Sequence, residues 1–123
     1  MVSVMAGQPF HVRIIGGVPV VSAPEEIDIS NAAEFRSALQ SAAGHPMIVA
    51  DLGSTEYCDS SGLNVLVRSL RRAQEQGGEL RLVASTSAVL RILNVTGVGK
   101  ILKVYASLED ALADRAPTFA PTS

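Results

Sequence analysis

The chain has 123 residues, 47% hydrophobic and 18% charged, a length and apolar share that suit one compact domain needing no disulfide or metal staple. With 10 Lys+Arg against 12 Asp+Glu, a net charge of -2 and 4% aromatic residues, it lacks the basic footprint and stacking surface of a nucleic-acid or anionic-membrane binder. A single cysteine, no apolar run near the roughly 20 residues of a membrane span, and an N-terminal MVSVMAGQPF unlike a signal peptide point to a cytoplasmic domain in a reducing compartment.

HVRII (11–15) and VPVVSA (18–23) flank Gly16-Gly17, a two-residue connection that predicts a hairpin. In IDISNAAEFRSALQSAAG the period changes. Ser30 or Asn31 is expected to cap a helix with Ala32, Phe35, Ala38 and Leu39 on its apolar side, and Gly44 to end it. MIVADL (47–52) is a short apolar run, the pattern of a strand buried on both faces. From about Ser60, Leu63, Leu66, Val67, Leu70 and Ala73 recur at helical spacing, with Gly77-Gly78 as the stop. ELRLVA (79–84) alternates as a strand, Ser87 to Asn94 predicts a short helix, KILKVY (100–105) a last strand and LEDALADR (108–115) a last helix. The segment from 116 to 123, APTFAPTS, has two prolines and no pattern, and is expected to be disordered beyond a domain at 1–115. A hairpin followed by alternating helix and strand implies an α/β fold with a mixed sheet, antiparallel at one side and otherwise parallel.

The residues with most chemical potential lie in YCDSSGLNVLVRSL, where an apolar strand hands over to an amphipathic helix. Asp59, Ser60 and Ser61 are all capping types, but a cap needs one of them and Asp59 can supply it. At least one serine hydroxyl then faces solvent in the first turn. A nucleophilic serine needs a base and an oxyanion hole. Cys58-Asp59-Ser60-Ser61-Gly62 lacks the first glycine of a G-x-S-x-G elbow, and both histidines, His11 and His45, precede Ser60 in the chain. One Cys and two scattered His make no zinc set, no D-x-D-x-D-G loop suggests calcium, and Gly97-Val98-Gly99-Lys100 is too short to cradle phosphates. Cys58 reads as a small hydrophobe at a strand end, with a redox-sensing thiol as the sharper alternative. Spacing alone leaves Ser60 as a cap, a nucleophile or an acceptor of modification.

The stretch DLGSTEYCDSSGLNVLVRSLRRAQEQGGELRLV (51–83) resembles the signature of the anti-sigma factor antagonists, small single-domain members of the STAS group. The resemblance extends back to PEEIDISNAAEF and forward to LRILNVTGVGKILKVYASLEDAL, covering about residues 9–114. Pro24-Glu25 replaces a glycine common before Glu26-Ile27-Asp28, and Cys58 a bulkier apolar residue. The resemblance implies a STAS-type sheet of about five strands with about four helices, and a regulatory function without catalysis or cofactor. It further implies that Ser60 is phosphorylated by a cognate anti-sigma factor that is itself an ATP-dependent serine kinase. Asp28, Asp59, Ser60, Ser61 and Gly62 would form the partner-binding surface, with Ser61 and Gly62 also shaping the turn. A phosphatase would reset a monomeric or weakly dimeric protein. Two alternatives remain open: a STAS scaffold in a larger signalling assembly, and a small-ligand or nucleotide-binding domain using the helix N-terminus.

Overall fold

The computed structural model describes residues 10–121. Strands β1 (His11–Ile15) and β2 (Val18–Ser22) form the expected antiparallel hairpin. Gly16 and Gly17 both take positive φ, 57° and 82°, as a two-residue turn matched to strand twist requires. A two-residue strand β3 (Glu26–Ile27) precedes helix α1 (Ala32–Ser41). Then come β4 (Met47–Leu52), a second two-residue strand β5 (Tyr57–Cys58), α2 (Ser60–Glu75), β6 (Glu79–Ala84) and α3 (Ser87–Thr96). The short strand β7 (Lys103–Tyr105) and helix α4 (Leu108–Ala113) complete the order. The main sheet runs β1-β2-β4-β6-β7, with β2, β4, β6 and β7 mutually parallel. Among the described residues this is an α/β domain with a mixed five-stranded sheet and four α-helices.

The central strand β4 is buried on both faces. Ile48, Ala50 and Leu52 join the larger core with Phe35 and Leu39 of α1, Leu66 and Leu70 of α2, and Val89 and Leu93 of α3. Val49 faces the other way, into a smaller cluster with Val20, Val83, Tyr105 and Ala111 of α4. Full burial of such a side chain contributes roughly 1.5–3 kcal/mol, so the three-helix face dominates stability. The face under α4 also holds charge. Arg81, 8% exposed, donates from one terminal nitrogen to the Ala111 carbonyl at 2.7 Å and from Nε to Glu79 at 2.9 Å. Its guanidinium thereby ties the last turn of α4 to the sheet, where a cation also suits the helix dipole.

Three expectations are corrected. Neither Ser30 nor Asn31 caps α1 with its side chain: Asn31 turns back to accept from the Asp28 N–H and to donate to the Glu26 carbonyl, while Ser30 donates to the Asp28 carboxylate. The strand expected over 100–105 begins only at Lys103, because Gly97 ends α3 in the left-handed region and Val98–Lys100 makes a 3-10 turn that buries Leu102. The tail expected to lack structure is docked in its described part. Thr118 N–H donates to the Val104 carbonyl, Val104 N–H donates to the Phe119 carbonyl, and the Phe119 ring packs over Gly99, where no Cβ stands in its way. The edge of β7 needed partners for its backbone groups, and a phenylalanine between two prolines supplies them with a small apolar anchor.

Candidate functional site

The loop between β2 and α1 and the loop between β4 and α2 meet through a second, two-stranded sheet. Glu26 pairs with Tyr57 and Ile27 with Cys58 in parallel, and the Asp59 N–H donates to the Ile27 carbonyl at 3.1 Å. Asp28 and Asp59, each following its short strand, are thus carried side by side at the start of α2. Thr55 locks the junction. Fully buried, it donates from its hydroxyl to the Pro24 carbonyl at 2.8 Å, while Thr86, the residue capping α3, donates to the Thr55 carbonyl at 2.8 Å. Neither the paired short strands nor this threonine clip was anticipated from the sequence. Two-residue strands have no periodicity to read, and a single Thr in a polar loop carries no signal of burial.

Asp59 is the N-cap of α2, as anticipated. Its backbone is extended and one carboxylate oxygen accepts from the Ser61 N–H at 2.9 Å and the Gly62 N–H at 3.4 Å. Ser60 is therefore relieved of capping, sits first in the helix and is exposed; Ser61 is half-buried. Gly62 is buried and faces inward, so it shapes the turn from beneath and is not part of the exposed surface. The Asp28 carboxylate accepts from the Ser30 N–H at 2.9 Å and from the Ser30 hydroxyl, and these bonds hold its carboxyl below the usual carboxylate range. The site thus presents an exposed hydroxyl directly after the capping Asp59 carboxylate. His45 is bonded through its ring to the Ala42 carbonyl and His11 lies in β1, and among the described residues neither histidine hydrogen-bonds Ser60. No cluster of His, Cys, Asp and Glu suited to a metal occurs among the described residues.

Two apolar side chains flank this site without having been singled out beforehand. Ile29 is 82% exposed and Tyr57 is 50% exposed. Ile29 had one legible sign, a large apolar residue between Asp28 and Ser30 that fits no strand or helix period.

Cys58 is 1% exposed, packed with the core under the turn. Burial, with the Asp59 charge adding to it, pushes its thiol from 9.0 up to about 12, so at neutral pH it is a protonated packing group. The folded state keeps this proton at a pH where the unfolded chain releases it. Its stabilising share is therefore complete below about pH 9 and is lost as pH rises toward 12, at up to ~1.4 kcal/mol per pH unit. Tyr105, also pushed up by burial and by its bond to Asp114, adds loss in the same direction above about pH 10. Cys58→Ala should show a shallower fall of the urea midpoint between pH 9 and 10 than the wild type. Equal slopes in both proteins would show that burial does not hold the thiol proton.

A five-stranded mixed sheet, a second pair of short strands and a capped serine turn at the head of α2 define a class of small α/β domain. The STAS domain profile matches residues 10–111. The chain belongs to the STAS domain family. It is similar to the anti-sigma-F factor antagonist RsfB of Mycobacterium tuberculosis, 32% identical over 98 residues that cover 78% of this chain and 80% of RsfB. RsfA of the same organism, also an anti-sigma-F factor antagonist, is 28% identical over 99 residues, 76% of this chain and 77% of RsfA. The crystal structure of an anti-sigma factor antagonist from Mycobacterium paratuberculosis superposes with a TM-score of 0.79 at 32% identity, covering 85% of this chain and 91% of that one. The five-strand mixed sheet and four helices expected from the sequence are the observed fold.

Proposed function

We propose that this domain is an anti-sigma factor antagonist switched by phosphorylation of Ser60. In its unmodified form it binds an anti-sigma factor and so frees the sigma factor for transcription. The anti-sigma partner, acting as a serine kinase with its own ATP, phosphorylates Ser60 and dissolves the complex, and a phosphatase restores it. The chain works by binding and supplies no catalytic group or cofactor, acting in the cytoplasm as a monomer or weak dimer. The observation that carries this reading is the division of labour at the head of α2. Asp59 satisfies the helix terminus, which leaves the Ser60 hydroxyl exposed and free of any structural bond. The relatives named as anti-sigma factor antagonists support the partner class.

The test is to incubate the purified chain with an ATP-binding anti-sigma kinase and ATP and to map the label. Phosphate on Ser60 and its absence in Ser60→Ala are expected, with Ser61→Ala still labelled. Label on Ser61 or elsewhere, or none with any such kinase that binds the chain, would overturn the assignment.

Asp28 belongs to the same partner surface. Asp28→Asn keeps an oxygen for the Ser30 N–H but removes the charge, so it separates a local turn role from an electrostatic one. The variant should melt like the wild type yet bind the anti-sigma partner roughly tenfold more weakly, as expected for loss of one charge at a complementary interface. Unchanged affinity by calorimetry would confine Asp28 to shaping its own turn.

A further inference from the structure

The furrow between α1 and α2 starts beside the Ser60 turn and is lined by Ile29, Ala32, Ala33 and Val65, with Arg36, Asn64 and Arg68 on its walls. Ser60, Asn64 and Arg68 follow one another at four-residue spacing along α2, so the furrow continues the face that carries the serine. Its apolar part is built of small alanines overhung by Ile29, the most exposed large apolar side chain among the described residues. Small residues between two helices leave room for a third helix to approach closely, the arrangement by which grooves take amphipathic helices.

The charge of the walls identifies what fits. Among the described residues no carboxylate pairs with Arg36 or Arg68; the ion pairs involve Arg81, Lys103 and Arg115 instead. Arg68 also lines a neighbouring hollow with Arg71 and Arg72, opposed only by Glu75. In a chain of net charge -2, Arg36, Arg68, Arg71 and Arg72 line this side, while Asp28 and Asp59 hold the end at Ser60. A second copy of the chain does not offer the complement: its most acidic helix, α4, has Leu108, Ala111 and Leu112 packed on the sheet.

We infer that the α1–α2 furrow docks an acidic, apolar-faced helix of the protein partner, placing apolar side chains against Ile29, Ala33 and Val65 and carboxylates against Arg36 and Arg68. This rests on the chain being a protein-binding regulator, and it adds a second anchor to the Ser60 turn. The turn acts as the switch, and the furrow supplies affinity and selects partners by charge.

The probe is a synthetic helical peptide of about two heptads, with leucines on one face and glutamates flanking them, paired with a counterpart carrying lysines in place of the glutamates. Titrated into the isotope-labelled chain, the glutamate peptide should shift the amides of Ile29, Ala33 and Asn64, and the lysine peptide should not. Arg36→Glu combined with Arg68→Glu should weaken the glutamate peptide by about tenfold or more and admit the lysine peptide. Ile29→Ala should weaken the glutamate peptide with no change in melting temperature. Equal binding of the two peptides, shifts confined to other surfaces, or indifference to the charge reversal would overturn the inference. The same amides shifting with protein concentration alone would assign the furrow to a second copy, and stronger binding to anionic vesicles than to the peptide would assign it to a membrane; either overturns it. The peptide requires neither kinase nor ATP, so a Ser60 that accepts no phosphate would sink the switch and leave this result standing.

Discussion

Ser60→Glu is expected to fold like the wild type and to bind the anti-sigma partner at least about a hundredfold more weakly. The two halves of that expectation come from different terms. A phosphate brings about -1.5 to -2 charges at pH 7, and at the first position of α2 the helix dipole favours negative charge by about 0.3–1 kcal/mol. The site is exposed and Asp59 already caps the helix, so the modification breaks no structural bond. Binding is affected differently. Asp59 is the adjacent residue, and docking a partner strips the water that screens the pair in the free chain. For unit charges about 5 Å apart, their repulsion then rises from under about 1 kcal/mol toward about 3 kcal/mol at an effective dielectric of 20. Desolvating an unpaired anion in a packed interface costs several kcal/mol more. At 1.4 kcal/mol per tenfold, either term alone approaches the expected loss. Calorimetry with wild type, Ser60→Ala and Ser60→Glu, beside their melting curves, separates the terms. A Ser60→Glu protein that binds within about threefold of wild type, or one that no longer folds, would refute the switch.

Gly62→Val should be the most damaging single substitution at the site. A Cβ at Gly62 would lie 2.6 Å from the Cys58 Sγ and 2.8 Å from a methyl of Ile27, both buried in the two short strands beneath α2. Contact at these separations forces the helix off the β3–β5 pair or drives Ile27 from its rotamer. Overpacking of this kind costs typically about 1–3 kcal/mol, and the second methyl groups of valine place it at the upper end. The gain in helix propensity over glycine, about 0.5 kcal/mol for a β-branched residue, does not offset that. Since α2 carries Asp59 and Ser60 at its head, partner affinity should fall together with stability. Gly62→Ala in a Cys58→Ala background removes the nearer clash and should recover part of the loss, which Gly62→Ala alone should not. Equal stability of Gly62→Ala in both backgrounds would show that the sulfur is not what requires glycine.

Much of this architecture is already determined by local pattern. The 3.6-residue spacing of Leu63, Leu66, Leu70 and Ala73, the apolar run of β4 and the Gly16-Gly17 turn each specify an element through burial periodicity or backbone conformation, which are properties of neighbouring residues. The N-cap at Asp59 was legible for the same reason, because a cap is satisfied within three residues of its own position. The placement of Asp28 beside Asp59 rests on pairing between Glu26-Ile27 and Tyr57-Cys58, some thirty residues apart and too short to show a period. The burial of Arg81 and the docking of Phe119 likewise arise only when α4 and the tail fold back on the sheet and must satisfy backbone and guanidinium groups there. Local sequence thus determined the elements and the aspartate that caps α2, leaving a serine hydroxyl beside it free. Only long-range pairing, which matches groups that local pattern leaves unsatisfied, decided what surrounds that serine and which surface continues beyond it.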